Sequence, residues 1–247
     1  MGKKSGCGSA AERLVRDQEA GGSNPLTPIL TFMRIKPAII FLIFFCPQAL
    51  LAQNDNFQYL ANSQCLTGIT GNLTAPSPHT VPRDTFSFGL HRFNIGINYG
   101  LDNYWETGVF FNLKEYEHFT STSIAIHTKY HLIKQRAGEP FDFSAGAYND
   151  SVYFVLGRQF EQLSDTVIES GVDISGSADG KFGYFVSLAK PTKFSYFILD
   201  YKSRTAQTNF GWRVLLSPDV KLDLFLINLD RIRNAFDNFI FGLTLVS

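Results

Sequence analysis

The sequence predicts an all-β protein, an up-and-down antiparallel transmembrane β-barrel of about twelve strands. Three observations carry this. Beyond Asp84, apolar and polar residues alternate with period two through most of the chain, which gives each strand one apolar and one polar face. Turn residues separate the runs at roughly 8–14 residues, the spacing of hairpins joined in sequence order. Charge is scarce: Asp, Glu, Lys and Arg make up 18% of the 247 residues and aromatics 15%, whereas an ordinary soluble domain carries roughly 25% charged residues.

Residues 1–32 read as a non-native, disordered readthrough. Gly22-Ser23-Asn24-Pro25 is what the T-arm of a transfer RNA gene (GGT-TCG-AAT-CC) encodes, so translation is expected to start at Met33. Residues 33–52 then form a secretory signal peptide: Arg34 and Lys36, an apolar run from Ala38 to Phe45, Pro47, and a small residue at Ala52. The mature chain is expected to begin near Gln53. The apolar run is too short for a membrane-spanning helix, which needs about 20 residues. Phe45 ahead of Cys46 argues against lipid anchoring, where a small residue is wanted. With Cys7 and Cys46 removed, Cys65 is the one cysteine left, and no internal disulfide can form. Residues 53–83 are an irregular N-terminal segment, with Pro76, Pro78 and Pro82 and no period.

The barrel is expected over 84–247. Phe86, Phe88 and Leu90 alternate with Ser87, Gly89 and His91; Phe93, Ile95, Ile97 and Tyr99 with Asn94, Gly96 and Asn98. Thr107, Val109 and Phe111 oppose Glu106, Gly108 and Asn112; Ile124, Ile126, Thr128 and Tyr130 oppose His127, Lys129 and His131. Phe141, Phe143, Ala145 and Ala147 oppose Asp142, Ser144 and Gly146; Ile168, Val172 and Ile174 oppose Glu169, Gly171 and Asp173. In the clearest strand, Phe210, Trp212 and Val214 oppose Asn209, Gly211 and Arg213. Leu222 and Leu224 oppose Lys221 and Asp223, and Phe239, Phe241 and Leu243 oppose Gly242 and Thr244. Stretches 151–160, 182–190 and 194–202 are strand-like with a weaker split. Asp102-Asn103, Gly138-Glu139-Pro140, Asn149-Asp150, Asp179-Gly180, Pro191-Thr192 and Ser217-Pro218-Asp219 supply the turns. Only 229–237 leaves room for a helical turn.

Alternation does not say which face is inside. The polar face is rich in Gly, Ser, Asn and Thr and thin in Lys and Glu, unlike a solvent-exposed face. Aromatic rings gather near strand ends (Tyr99, Tyr104, Trp105, Tyr148, Tyr153, Tyr201), as in interfacial girdles. The strands, about 8–13 residues long, suffice to cross a bilayer at a tilt, which takes about 9–11. The apolar set Phe86, Phe88, Ile95, Ile97, Phe111, Phe210, Trp212, Leu222, Leu224, Phe239 and Phe241 is therefore expected to face lipid. The polar set Glu106, Lys129, Glu169, Asp173, Asn209, Arg213, Lys221 and Asp223 is expected to line the lumen, where opposite charges tend to pair and fill a narrow barrel. The reverse assignment is a soluble, exported β-barrel that binds an apolar ligand inside.

"LTGITGNLTAPSPHTVPRD", "YGLDNYWETGVFF", "AGAYNDSVYFVLGR" and "NFGWRVLL" together resemble the YjbH-like bacterial outer-membrane barrels associated with exopolysaccharide operons. The hairpin that carries the likeness is Tyr99, Gly100, Leu101, Asp102, Glu106 and Gly108. The resemblance implies an envelope barrel that assists polysaccharide secretion. The chain departs from outer-membrane barrels in ending on Ser247, with Phe241 the nearest ring.

Net charge is +0 and pI about 7.0, which argues against nucleic acid as a partner, since its binders carry basic stripes. No nucleophile elbow, phosphate loop or zinc-protease helix is found. His127 and His131 share a face but stand about 13 Å apart along a strand, so they cannot share an ion, and lumen polar residues are their expected role. No cofactor, metal or catalytic residue is expected. The reading is a non-enzymatic outer-membrane β-barrel of a Gram-negative bacterium, a narrow channel or structural envelope protein. Its expected partners are outer-membrane lipid, the barrel-assembly machinery, and polysaccharide or a small solute. An outer-membrane hydrolase is a third reading.

Overall fold

The computed structural model describes residues 62–113, 124–135, 139–149, 151–176, 182–232 and 238–247, all within one unit, Phe41–Ser247. The readthrough, the signal peptide and the Asp179-Gly180 turn lie outside the described residues. Twelve strands follow one another: β1 (Phe86–His91), β2 (Asn94–Gly100), β3 (Trp105–Asn112), β4 (Ile124–Ile133), β5 (Asp142–Tyr148), β6 (Ser151–Phe160), β7 (Thr166–Ser175), β8 (Phe182–Pro191), β9 (Ser195–Lys202), β10 (Gln207–Ser217), β11 (Val220–Leu226) and β12 (Phe239–Val246). Each pairs antiparallel with the next, and β12 returns to β1, with Leu90 opposite Leu243. The sheet is a closed up-and-down barrel with no free edge. The helical turn expected in 229–237 is a 3-10 turn over Leu229–Arg231.

The register stacks like with like on each face. Phe88 lies opposite Ile97, Ile95 opposite Phe111, Trp212 opposite Leu224, and Leu224 opposite Phe241. This face points outward. Phe86, Phe88, Ile97, Trp212, Phe239 and Phe241 are exposed, and Ile95, Phe111, Phe210, Leu222 and Leu224 half-buried. Ile126 and Phe182 are 68% and 63% exposed. The other parity points into the barrel: Glu106 opposite Lys129, Glu169 opposite Ser187, Asp200 opposite Asn209, Arg213 opposite Asp223.

Tyr148 and Tyr153 depart from the girdle reading. Tyr153 shares the parity of Ser151 and Val155, points inward and is wholly buried, with Tyr148 packed against it. Both rings serve the interior.

Candidate functional site

The interior is filled by the chain's own residues 62–82. This lumen segment folds into a knot of tight turns. Cys65 N–H donates to Ile69 C=O (2.8 Å), Leu66 N–H to Leu73 C=O (2.7 Å), Asn72 N–H to Ala75 C=O (3.0 Å) and Ser77 N–H to Thr70 C=O (3.1 Å). Gly68 takes φ +81°, a conformation open to glycine at no steric cost. The three prolines that make the segment unreadable as a strand also remove donors that would need partners inside a barrel. Nothing periodic in the segment signals that it is buried.

The polar wall residues hold it. Arg213, 2% exposed, is bound through Nε to Asp223 Oδ1 (2.6 Å) and donates through its terminal nitrogens to the carbonyls of Gln64 (2.9 Å), Gly71 (3.0 Å) and Asn72 (3.1 Å). The planar guanidinium suits this task because its five donors are fixed in direction. His91 Nε2 lies 2.8 Å from Asp223 Oδ2. On the opposite wall Lys129 Nζ pairs with Glu106 Oε1 (3.2 Å) and donates to the carbonyls of Thr70 (3.0 Å) and Ser77 (3.2 Å). Glu106 Oε2 accepts from the Thr70 hydroxyl (2.6 Å) and the Val81 N–H (2.9 Å). Both ion pairs are buried, so each charge depends on these bonds to offset the water it has lost.

A row of neutral and acidic groups completes the grip. Asn72 Nδ2 donates to Glu169 Oε2 (2.5 Å) and Ser187 Oγ (2.6 Å). Asp200 accepts from the Thr74 N–H (2.7 Å) and from Asn209 Nδ2 (2.7 Å). Gln64 reaches the Ser87 carbonyl (2.8 Å), Asn98 the Gly68 carbonyl (2.9 Å), and the Ser144 hydroxyl the Pro78 carbonyl. Small inward residues make the room. A Cβ on Gly96 would run into the Gln64 amide and come within 3.0 Å of Gly68 Cα, and one on Gly100 would run into the Pro82 carbonyl.

The segment also has an apolar side. Leu73 is buried among Val167, Ala189, Tyr196, Ile198, Phe225 and Ile240, and Cys65, Ile69 and Ala75 among Tyr153, Val155 and Phe185. This explains the weak alternation of 151–160, 182–190 and 194–202. Those strands carry apolar side chains outward and, where they meet Leu73 and Ile69, inward as well. Cys65 Sγ stands 2.9 Å from Thr67 Oγ1. Burial pushes its thiol pKa up, and the Thr67 contact offsets this only in part.

Each of Glu106, Lys129, Glu169, Asp173, Asn209, Arg213, Lys221 and Asp223 lies buried on the inward face. All but Asp173 and Lys221 bond to the lumen segment or to a neighbour that does. Asp173 faces Arg204 at 3.6 Å, Lys221 Nζ has no hydrogen-bond partner among the described residues, and Asn209 joins through Asp200 and through Thr74 Oγ1 at 3.3 Å. Sequence reasoning missed Gln64, Thr70, Asn72 and Thr74, and found no place for Asp200. His127 and His131 both point inward: His127 Nε2 pairs with Asn98 Oδ1 (2.8 Å), His131 Nε2 with Asp142 Oδ1 (2.9 Å).

No family model and none of the curated proteins matches the chain. Among solved structures it is similar to a five-substitution variant of Rh. blastica porin, at TM-score 0.37 and 8% identity, and to a triple mutant of Rhodopseudomonas blastica porin, at TM-score 0.35 and 8% identity. The match covers 62% of this chain and 55% of either porin chain. The likeness is too low to add to the barrel, which rests on its own strand pairing.

Proposed function

We propose that the protein is a non-enzymatic outer-membrane β-barrel held shut by residues 62–82, a structural envelope protein rather than an open pore. The observation that carries this reading is the pairing of an exposed apolar exterior with an interior whose buried charges all but close on the chain itself. A water-soluble chain rarely shows so continuous an apolar surface, and a belt of outward rings is the surface that hydrocarbon favours. The soluble ligand-binding alternative needs the opposite: an apolar cavity and a polar exterior. The connections support an orientation. The separations after β2, β4, β6, β8 and β10, two to eight residues each, fall at the end where the lumen segment joins β1, while the two longest separations, after β3 and β11, fall at the other end beside two-residue turns after β1 and β5. In outer-membrane barrels the short turns face the periplasm and the long loops the exterior. The resemblance to YjbH-like barrels supports a role in polysaccharide secretion.

The test is a pair of cysteine variants in native membranes, with Cys65 replaced by Ser. Phe210→Cys should react with a lipid-soluble thiol reagent only. Asn209→Cys, shielded by Thr74 and Asp200, should react with neither a lipid-soluble nor a water-soluble reagent. Recovery of the protein in the aqueous fraction without detergent, or labelling at 210 by the water-soluble reagent, would refute the membrane reading. Ready aqueous labelling at 209 would refute the closed lumen.

A further inference from the structure

We propose that His79, His131 and Asp142 form a binding site for a divalent transition metal of the zinc class, which fastens the lumen segment to the barrel wall. The three residues come from separate places: His79 from the lumen segment, His131 from the last turn-ward part of β4, and Asp142 from the first position of β5. The fold brings their donor atoms within 4.8 Å of one another. His131 Nε2 lies 2.9 Å from Asp142 Oδ1, and the His79 ring meets the His131 ring edge-on at 5.9 Å between centroids.

The donor set selects the ion. Two imidazoles and one carboxylate suit zinc and its neighbours, whereas calcium and magnesium take oxygen shells. In a tetrahedral zinc shell the donors stand about 3.4 Å apart, given bond lengths near 2.1 Å. The triad therefore needs only a small closing movement, and His79 is the half-buried member of the three. Its partial exposure also leaves an entry path and a fourth position for water. Asp142 Oδ1 already accepts the Gln135 N–H at 3.1 Å, a supporting contact that fixes the carboxylate as outer contacts do in metal sites. A simple His131–Asp142 polar pair accounts for two of the residues and not for the arrival of the third from another segment. Since His79 precedes Val81, whose N–H is held by Glu106, an ion here would lock the lumen segment where it leaves the barrel.

The experiment is a titration of the tag-free, full chain, folded in detergent, with zinc chloride and, in parallel, cobalt(II) chloride. The expected result is one equivalent bound, roughly tenfold or more weaker in His79→Ala and in His131→Ala, with no competition from calcium or magnesium. Zinc should raise the temperature at which the folded, faster-migrating gel band is lost, and should not do so in His79→Ala. His79→Cys provides a second readout: its cobalt complex should gain the thiolate-to-metal absorption that the unaltered chain lacks. Absence of zinc binding to the folded chain, binding unchanged in His79→Ala, or a His79→Cys cobalt spectrum without the thiolate band would overturn the site. None of these depends on whether the barrel sits in a membrane.

Discussion

Arg213 shows how one inward residue differs from a simple pore-lining charge. Its parity places it inside, and Asp223 opposite it in register supplies the countercharge. Its three carbonyl acceptors, however, belong to residues more than a hundred positions earlier, and no local pattern announces them. Arg213→Ala takes the guanidinium from the buried Asp223 carboxylate, which keeps His91 at 2.8 Å, and leaves three carbonyls without this donor. A cost of about 3–5 kcal/mol is expected, because a buried charge loses its ionised partner. The double variant Arg213→Met, Asp223→Leu removes the half-paired carboxylate but neither the carbonyl deficit nor the loss of His91's partner, and should recover only part of the loss. Urea unfolding, followed by the loss of the faster-migrating band, measures both. Full recovery in the double variant would mean that the guanidinium does not hold the segment.

Among the elements, the twelve strands were legible because a period of two survives wherever one face is polar and the other apolar. It fades in β6, β8 and β9 because Tyr153, Phe185 and Ile198 point inward to meet Ile69 and Leu73. The lumen segment was legible only as an irregular stretch. Its turns are built from Gly68, Pro76 and Pro78, residues that look the same on a surface loop as in a filled lumen. What betrays it is on the strands: the inward glycines of β2, whose missing side chains leave the space that Gln64 and Gly68 occupy at Gly96 and Pro82 at Gly100. Gly96→Val should therefore push the segment off the wall without disturbing the outer face. The expected outcome is faster labelling of Cys65 by a water-soluble maleimide in Gly96→Val than in the unaltered chain. Ile97→Val, one position along on the outward face, should leave the rate unchanged. Equal rates in all three chains would show that the segment does not rest on β2.

For the whole molecule, the apolar exterior and the filled interior meet two different environments, lipid outside under the proposed function and the chain's own backbone inside. A barrel of twelve strands lies between those that side chains alone can fill and the wide porins that hold an aqueous channel, and here residues 62–82 occupy the difference. Under the proposed function these residues close the barrel. The most direct measurement is current across a planar bilayer holding either the full chain or the chain lacking residues 62–82, each first shown to be folded by its heat-shifted migration. The expected result is no steady current through the full chain and a steady, ion-conducting pore in the shortened one. Equal steady currents through both chains would contradict it.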